Sequence, residues 1–341
     1  MSAEIPAGAM RFNSDSQKLE YWNGSAWFQV HTFSPNLATA GDREPGARGV
    51  AMGGNNGTNF SDIDYINISS TGDAADFGDM SVGATTAGGA CASKTRGVFA
   101  GGQAPVVISS HMEFVTIAST GSSTDFGADL DQARDFLSGC SNETRGLFVG
   151  GRSGAPATGT ARIDYITIAS QGVAAQVFGT LTSAQVFYPM SLASPTRAVI
   201  GGGAPSSPST TEIDFVTIGS LGSTTDFGTL NDNRGGVGCS NATRGIFAGG
   251  YNPSLCNVIT YITIASTGNP TNFGDLTRNV RSHGAATSPT RGVFMGGKEP
   301  GNSLTMDYIN FTTEGNAVDF GDLVNNARGN IAGASNGHGG L

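Results

Sequence analysis

The sequence predicts an all-β fold built as a ring of repeats, and three observations predict it. A block that begins with arginine and ends in a Gly-Gly doublet occurs six times, at intervals of roughly 48 residues. Each block is followed by a segment alternating β-branched and aromatic residues, a Gly turn and a Phe-Gly pair. Glycine supplies 52 of the 341 residues and charged residues only 13%, a turn-rich composition that suits short strands. Together these predict a six-bladed β-propeller of four-stranded blades over residues 47–341, preceded by a β-hairpin module at 1–32 and a linker at 33–46.

The N-terminal module reads as strand, turn, strand, turn, strand: Met10–Asn13, Lys18–Trp22, a tight Asn23-Gly24 turn, and Ala26–Val30. Both tryptophans of the chain, Trp22 and Trp27, lie here beside Tyr21 and Phe28. So short a hairpin cannot bury them alone. These four side chains are therefore expected to dock, either on the propeller or on another protein.

Within the repeat, the second strand of each blade is the arginine block: A-R-G-V-A-M-G-G at 47–54, T-R-G-V-F-A-G-G at 95–102, T-R-G-L-F-V-G-G at 144–151, T-R-A-V-I-G-G-G at 196–203, T-R-G-I-F-A-G-G at 243–250 and T-R-G-V-F-M-G-G at 290–297. The third strands fall at Ile63–Ile68, Met112–Ile117, Ile163–Ile168, Ile213–Ile218, Ile259–Ile264 and Met306–Phe311. A turn then leads to the fourth, as D-F-G-D-M at 76–80 or D-F-G-D-L at 319–323. Repeated six times in β context, this D-F-G is a structural element and not a kinase motif. The remaining strand is rich in small residues, as in G-G-A-C-A-S at 88–93, and belongs nearest the axis, where space is least.

The first repeat has no such strand of its own, since Arg43 stands where a small residue is needed. Residues Arg328–Asn336 carry the small-residue pattern at the far end of the chain. The C-terminal segment is therefore expected to complete the first blade and remove the open edges.

Cys91, Cys140 and Cys239 occupy one equivalent position, filled elsewhere by Leu192, Ala286 and Ala334, so they read as buried packing residues. His31, His111, His283 and His338 have no ligand spacing and read as solvated positions. The repeated Arg48, Arg96, Arg145, Arg197, Arg244 and Arg291 could line a channel for an anion, but read more simply as structural braces on nearby carboxylates, chiefly Asp76, Asp125, Asp226 and Asp319, with another acceptor such as Asp164 or a carbonyl where Val177 and Asn272 replace the Asp. No cofactor or metal site is expected. The net charge of −9 without a Lys/Arg run argues against nucleic acid, and no apolar run is long enough for membrane insertion. The start of the chain has no basic flank and no apolar core, so no secretory leader is expected.

Turns after strands one and three repeat nearly unchanged, whereas the loops after strand two vary: Asn55–Ser61, Gln103–His111, Arg152–Arg162, Ala204–Glu212, Tyr251–Val258 and Lys298–Thr305. A constant frame with one variable set of loops reads either as a binding face or as unconstrained drift. On the first reading the contacts are Val106, Val107, Ile108 and Tyr251, with Arg152 and Lys298 as charged handles. No blade breaks the pattern to supply a catalytic constellation, so no enzyme is expected.

The Gly-Gly doublet, the third-strand aromatic and the arginine of the next repeat resemble the kelch family over residues 47 to 336, with Phe77, Phe126, Phe178, Phe227, Phe273 and Phe320 where that family carries Trp. The run F-N-S-D-S-Q-K-L-E-Y-W-N-G-S-A-W resembles a hairpin module of tailed-bacteriophage structural proteins. That resemblance implies a virion component, a tail fibre or surface appendage, assembled in the host cytoplasm as a homo-oligomer. Residues 1–32 would dock on other virion proteins, and the propeller would meet a host receptor or glycan. Capsid or tail decoration without a receptor, or a glycan-processing propeller enzyme, are the alternatives.

Overall fold

The computed structural model describes residues 6, 8–13, 18–29, 48–81, 85–86, 88–104, 107–154, 158–182, 186–203, 210–232, 234–251, 254–324 and 326–337. The expected linker at 33–46 lies outside the described residues. The chain divides into two units, Met1–Glu44 and Pro45–Leu341. The first contains a three-stranded antiparallel sheet of Met10–Asn13, Lys18–Trp22 and Trp27–Gln29. Asn23 makes its second turn by accepting the amides of Ser25 and Ala26 on its side-chain oxygen.

The second unit is all-β among the described residues and contains six four-stranded antiparallel sheets, an arrangement compatible with a β-propeller. In the second sheet the order follows the chain: Gly89–Ala92, Arg96–Ala100, Met112–Thr116, Thr124–Asp125. The third sheet opens with Ser138–Ser141, the fourth with Met190–Ala193, the fifth with Val237–Ser240 and the sixth with Gly284–Thr287. The first sheet alone draws its opening strand from elsewhere in the chain. Ala332–Ser335 pairs there with Arg48–Met52, with Ala334 opposite Val50. It lies within the segment that the sequence assigns to this place.

Apolar side chains fill the space between successive sheets. One cluster joins Val98, Met112 and Phe126 of the second sheet to Phe148 and Ile166 of the third. Another joins Val293, Met306 and Phe320 of the sixth to Ala51, Ile66 and Ile68 of the first. In all six sheets the third-strand aromatic meets the Phe of the Phe-Gly pair edge to face, as Tyr65 does Phe77 at 6.0 Å, a geometry favoured by the ring quadrupoles.

Small residues in the opening strands are required by their mutual approach. A Cβ on Gly139 would lie 2.1 Å from the Ala90 carbonyl oxygen. Ser141 Oγ donates to the Ala92 carbonyl and accepts its amide proton. Ser240 does the same to Ala193, and Ser335 to Thr287. The opening strands therefore interlock in alternating Gly-bearing and larger pairs. The D-F-G element has an equally local reason. Phe77 accepts the Gly121 amide at 2.7 Å, and a Cβ on Gly78 would fall 2.6 Å from the Gly121 carbonyl carbon. Phe320 accepts the Gly72 amide in the same way, tying the sixth sheet to the first.

Candidate functional site

The six repeated arginines all brace on backbone carbonyls, the acceptor expected only where the nearby Asp is missing. Arg48 donates to the Ile117 carbonyl at 2.8 Å, Arg96 to Ile168 at 2.9 Å and Arg145 to Ile218 at 2.6 Å. Arg197 bonds Ile264, Arg244 bonds Phe311, and Arg291 reaches Ile68 of the first sheet. Each guanidinium also covers the third-strand aromatic of its own sheet, such as Arg96 over Phe114 at 4.3 Å. Asp76, Asp125, Asp226 and Asp319 are exposed on the fourth strands. The carbonyl at the end of each third strand is the closer acceptor.

Carboxylates are engaged instead by a second set of arginines that the sequence reading missed. Arg134 and Asp164 are both fully buried and meet at 2.5 Å, as are Arg328 and Asp64 at 2.9 Å. Arg278 contacts Asp307 at 3.2 Å, and Arg234 donates to Thr260 Oγ1 at 3.0 Å. Each arginine follows the fourth strand of one sheet and reaches the third strand of the next. Burial lowers the Arg134 guanidinium to about 10, with Asp164 opposing. The available signal was an acid directly before the third-strand aromatic.

Cys91, Cys140 and Cys239 are buried and free, and burial pushes the Cys140 thiol up to about 12. His111 lies 3.6 Å from Asp129. His283 is not solvated: it is 4% exposed and stands edge to face on Phe294 at 5.9 Å. Burial drives its pKa down to about 3. His31 and His338 lie outside the described residues. Among the described residues no group of three or more His, Cys, Asp or Glu is placed to hold a metal ion.

A cavity of about 110 Å³ opens where the connectors enter the opening strands, lined by Phe136, Tyr188, Ser282 and Asn330 among others. These four adopt the left-handed backbone, with φ of 52°, 51°, 57° and 55°. Non-glycine residues there carry strain, and such strain collects at functional sites. Their side chains differ from sheet to sheet. The Phe136 and Tyr188 rings are in contact, tilted by 36° with centroids 4.4 Å apart, and Arg152 covers Phe136 at 4.7 Å.

The residue before three of these positions, Asp135, Arg281 and Gly329, pairs with the start of a variable loop. In the third sheet Asp135 bridges Arg152, and their side chains form a bidentate ion pair. In the sixth sheet the same relation brings Arg281 opposite Lys298, two cations. Arg281 also covers the Tyr251 ring at 4.9 Å. The Lys298 stem rests against Gly329, where a Cβ would fall 2.6 Å from it.

Of the residues expected to bind, Arg152, Tyr251 and Lys298 do not line the cavity but meet the connectors beside it, Arg152 at Phe136 and the other two at Arg281. Arg152 is committed to Asp135 and is no free handle. Val107 and Ile108 form one strand of a separate short hairpin, and Val107 is 62% exposed. Val106 lies outside the described residues. Phe136, Tyr188 and Arg281 were not anticipated.

In the N-terminal sheet the four expected docking residues divide between two faces. Trp22 and Trp27 oppose each other on the face of Arg11 and Glu20, and Arg11 covers Trp27 at 4.2 Å. Tyr21 and Phe28 stack at 5.8 Å on the other face, in line with Met10. Met10, Phe12, Tyr21 and Phe28 are 60%, 66%, 41% and 46% exposed. Alternation along the strands makes these four one apolar surface.

No protein-family model matches the chain, and no curated protein matches it.

Proposed function

We propose that the six sheets form a six-bladed, kelch-like β-propeller closed by Ala332–Ser335, and that the chain is a non-enzymatic virion protein of a tailed phage. Its place is a tail fibre or surface appendage, assembled in the host cytoplasm. The N-terminal sheet docks on other virion proteins, and the apolar face of Met10, Phe12, Tyr21 and Phe28 suits that role better than the tryptophan pair. A homo-oligomer in the particle follows from such a role. The cavity mouth and its variable loops face a host receptor or glycan.

One observation carries the binding role: a frame that repeats in its arginines, interlocks and aromatic pairs departs from repetition at the cavity mouth. Phe136, Tyr188, Ser282 and Asn330 occupy one strained backbone position with four different side chains. Packing alone gives no reason for an aromatic pair on one side and uncompensated cations on another. Convergent aromatic and polar groups in a concavity are the usual make-up of a ligand site.

Particles carrying Phe136→Ala with Tyr188→Ala should adsorb to host cells at least tenfold more slowly than wild type, with the protein present in equal amount. Equal adsorption would leave decoration without a receptor as the better reading. Absence of the chain from purified particles would contradict the virion assignment.

A further inference from the structure

We infer that the sixth-sheet side of the cavity mouth is an anion site, built by Arg281 and Lys298, for the carboxylate of an acidic saccharide. The inference rests on the reading of this mouth as the binding face. Its main support is the comparison of two equivalent positions. Asp135 and Arg152 in the third sheet form a compensated pair, whereas Arg281 and Lys298 face each other across the same kind of backbone bridge with like charge.

Their main chains are joined by two hydrogen bonds, at 3.0 and 2.8 Å, so the cations are held as neighbours. Like charges directly opposed in an antiparallel pair are destabilising. Neither side chain has a carboxylate partner among the described residues, although acids outnumber bases by 27 to 18 in the chain. Glu299, the nearest acid in sequence, is engaged by Arg278 at 2.8 Å. The Lys298 ammonium is accordingly displaced downward, first by burial and then by Arg281. An anion shared by the two would relieve both effects.

The surroundings specify more than charge. Tyr251 lies against Arg281, and the Phe136–Tyr188 pair lines the cavity. Arg281 also acts on the Tyr188 phenol, opposing the upward push of burial. Aromatic faces take the C–H face of a sugar ring. Ser138 Oγ and Asn330 Oδ1 are buried at the cavity wall without a protein partner, and buried polar atoms of this kind seek a hydroxyl or water. A cavity of about 110 Å³ is small beside sites for whole cofactors. It suits one acidic terminal residue entered end-on, with the rest of the chain lying over the loops.

The test uses the full chain and calorimetric titration with a uronate tetrasaccharide, its neutral counterpart of the same linkage, and inorganic phosphate. The wild type should bind the uronate oligomer at least tenfold more tightly than either other probe, and increasingly so at low salt. Arg281→Asp recreates the ion pair of the third sheet, so it should raise the melting temperature while weakening uronate binding at least tenfold. Arg281→Gln with Lys298→Gln should weaken it equally. Equal affinity for the neutral oligomer or for phosphate, unchanged binding by Arg281→Asp, or no uronate binding would each overturn the inference. Loss of adsorption in the Phe136→Ala, Tyr188→Ala particles would still support the broader reading in those cases.

Discussion

His283 occupies a place in its sheet where Leu137 and Ile331 stand in two others, and it is treated by the fold as if it were apolar. Both ring nitrogens lack a protein partner, and burial holds the ring neutral with a pKa of about 3. In the unfolded chain the same ring titrates near 6.5. As pH falls below about 6.5 the unfolded state takes the proton first, so the stability present at neutral pH is lost progressively down to about pH 3. One such group contributes a slope of up to about 1.4 kcal/mol per pH unit. Urea titrations at pH 7, 5 and 4 should show this slope in the wild type and its reduction by one proton in His283→Leu. The same slope in both proteins would refute the assignment. This burial is not legible in the sequence, because a lone histidine between Ser282 and Gly284 has no apolar periodicity around it. Cys91, Cys140 and Cys239 were legible for the opposite reason: Leu192 and Ala286 mark their position as packed.

Between elements, the structure replaces surface carboxylate braces with two kinds of latch, one from each sheet to the next and one at three of these junctions. The half-buried one joins a repeated arginine to a backbone carbonyl, as Arg291 to Ile68 at 3.0 Å. The buried one joins a connector arginine to a third-strand acid, as Arg328 to Asp64. Breaking such a buried pair from one side strands the other charge and costs about 3–5 kcal/mol. Arg328→Met should therefore lower stability by about that amount, and adding Asp64→Leu should recover most of it. Denaturant midpoints of the single and double variants decide this; a single-variant loss below about 1 kcal/mol would show that the pair is not a latch. Strand order was legible because the repeat carries β-branched and aromatic alternation and Gly turns at fixed offsets. The latches were not, since Arg134, Arg234, Arg278 and Arg328 stand at unequal distances from the preceding Phe. Only pairing in space shows them to be equivalent.

Across the whole molecule, the repeat is kept in the strands and departs from repetition in the connectors. Phe136, Tyr188 and Ser282 each stand nine residues before a repeated arginine, and Arg152 and Lys298 each follow a Gly-Gly doublet directly, so the sequence aligns these positions without showing which of them meet. Strand pairing does: Asp135 with Arg152 and Arg281 with Lys298 then become the same structural relation filled with different chemistry. The opposite turns keep one composition, with Asn142 and Asn241 each capping a turn by accepting the amides two and three residues on. This asymmetry is what the proposed binding role rests on. The most direct test is retention of the purified chain on host envelope when each face is altered separately. Substituting Phe136, Tyr188 and Tyr251 by alanine should abolish retention, while Glu143→Ala with Ala242→Ser on the opposite turns should leave it unchanged. Retention that survives the first set of changes, or is lost only with the second, would contradict the account.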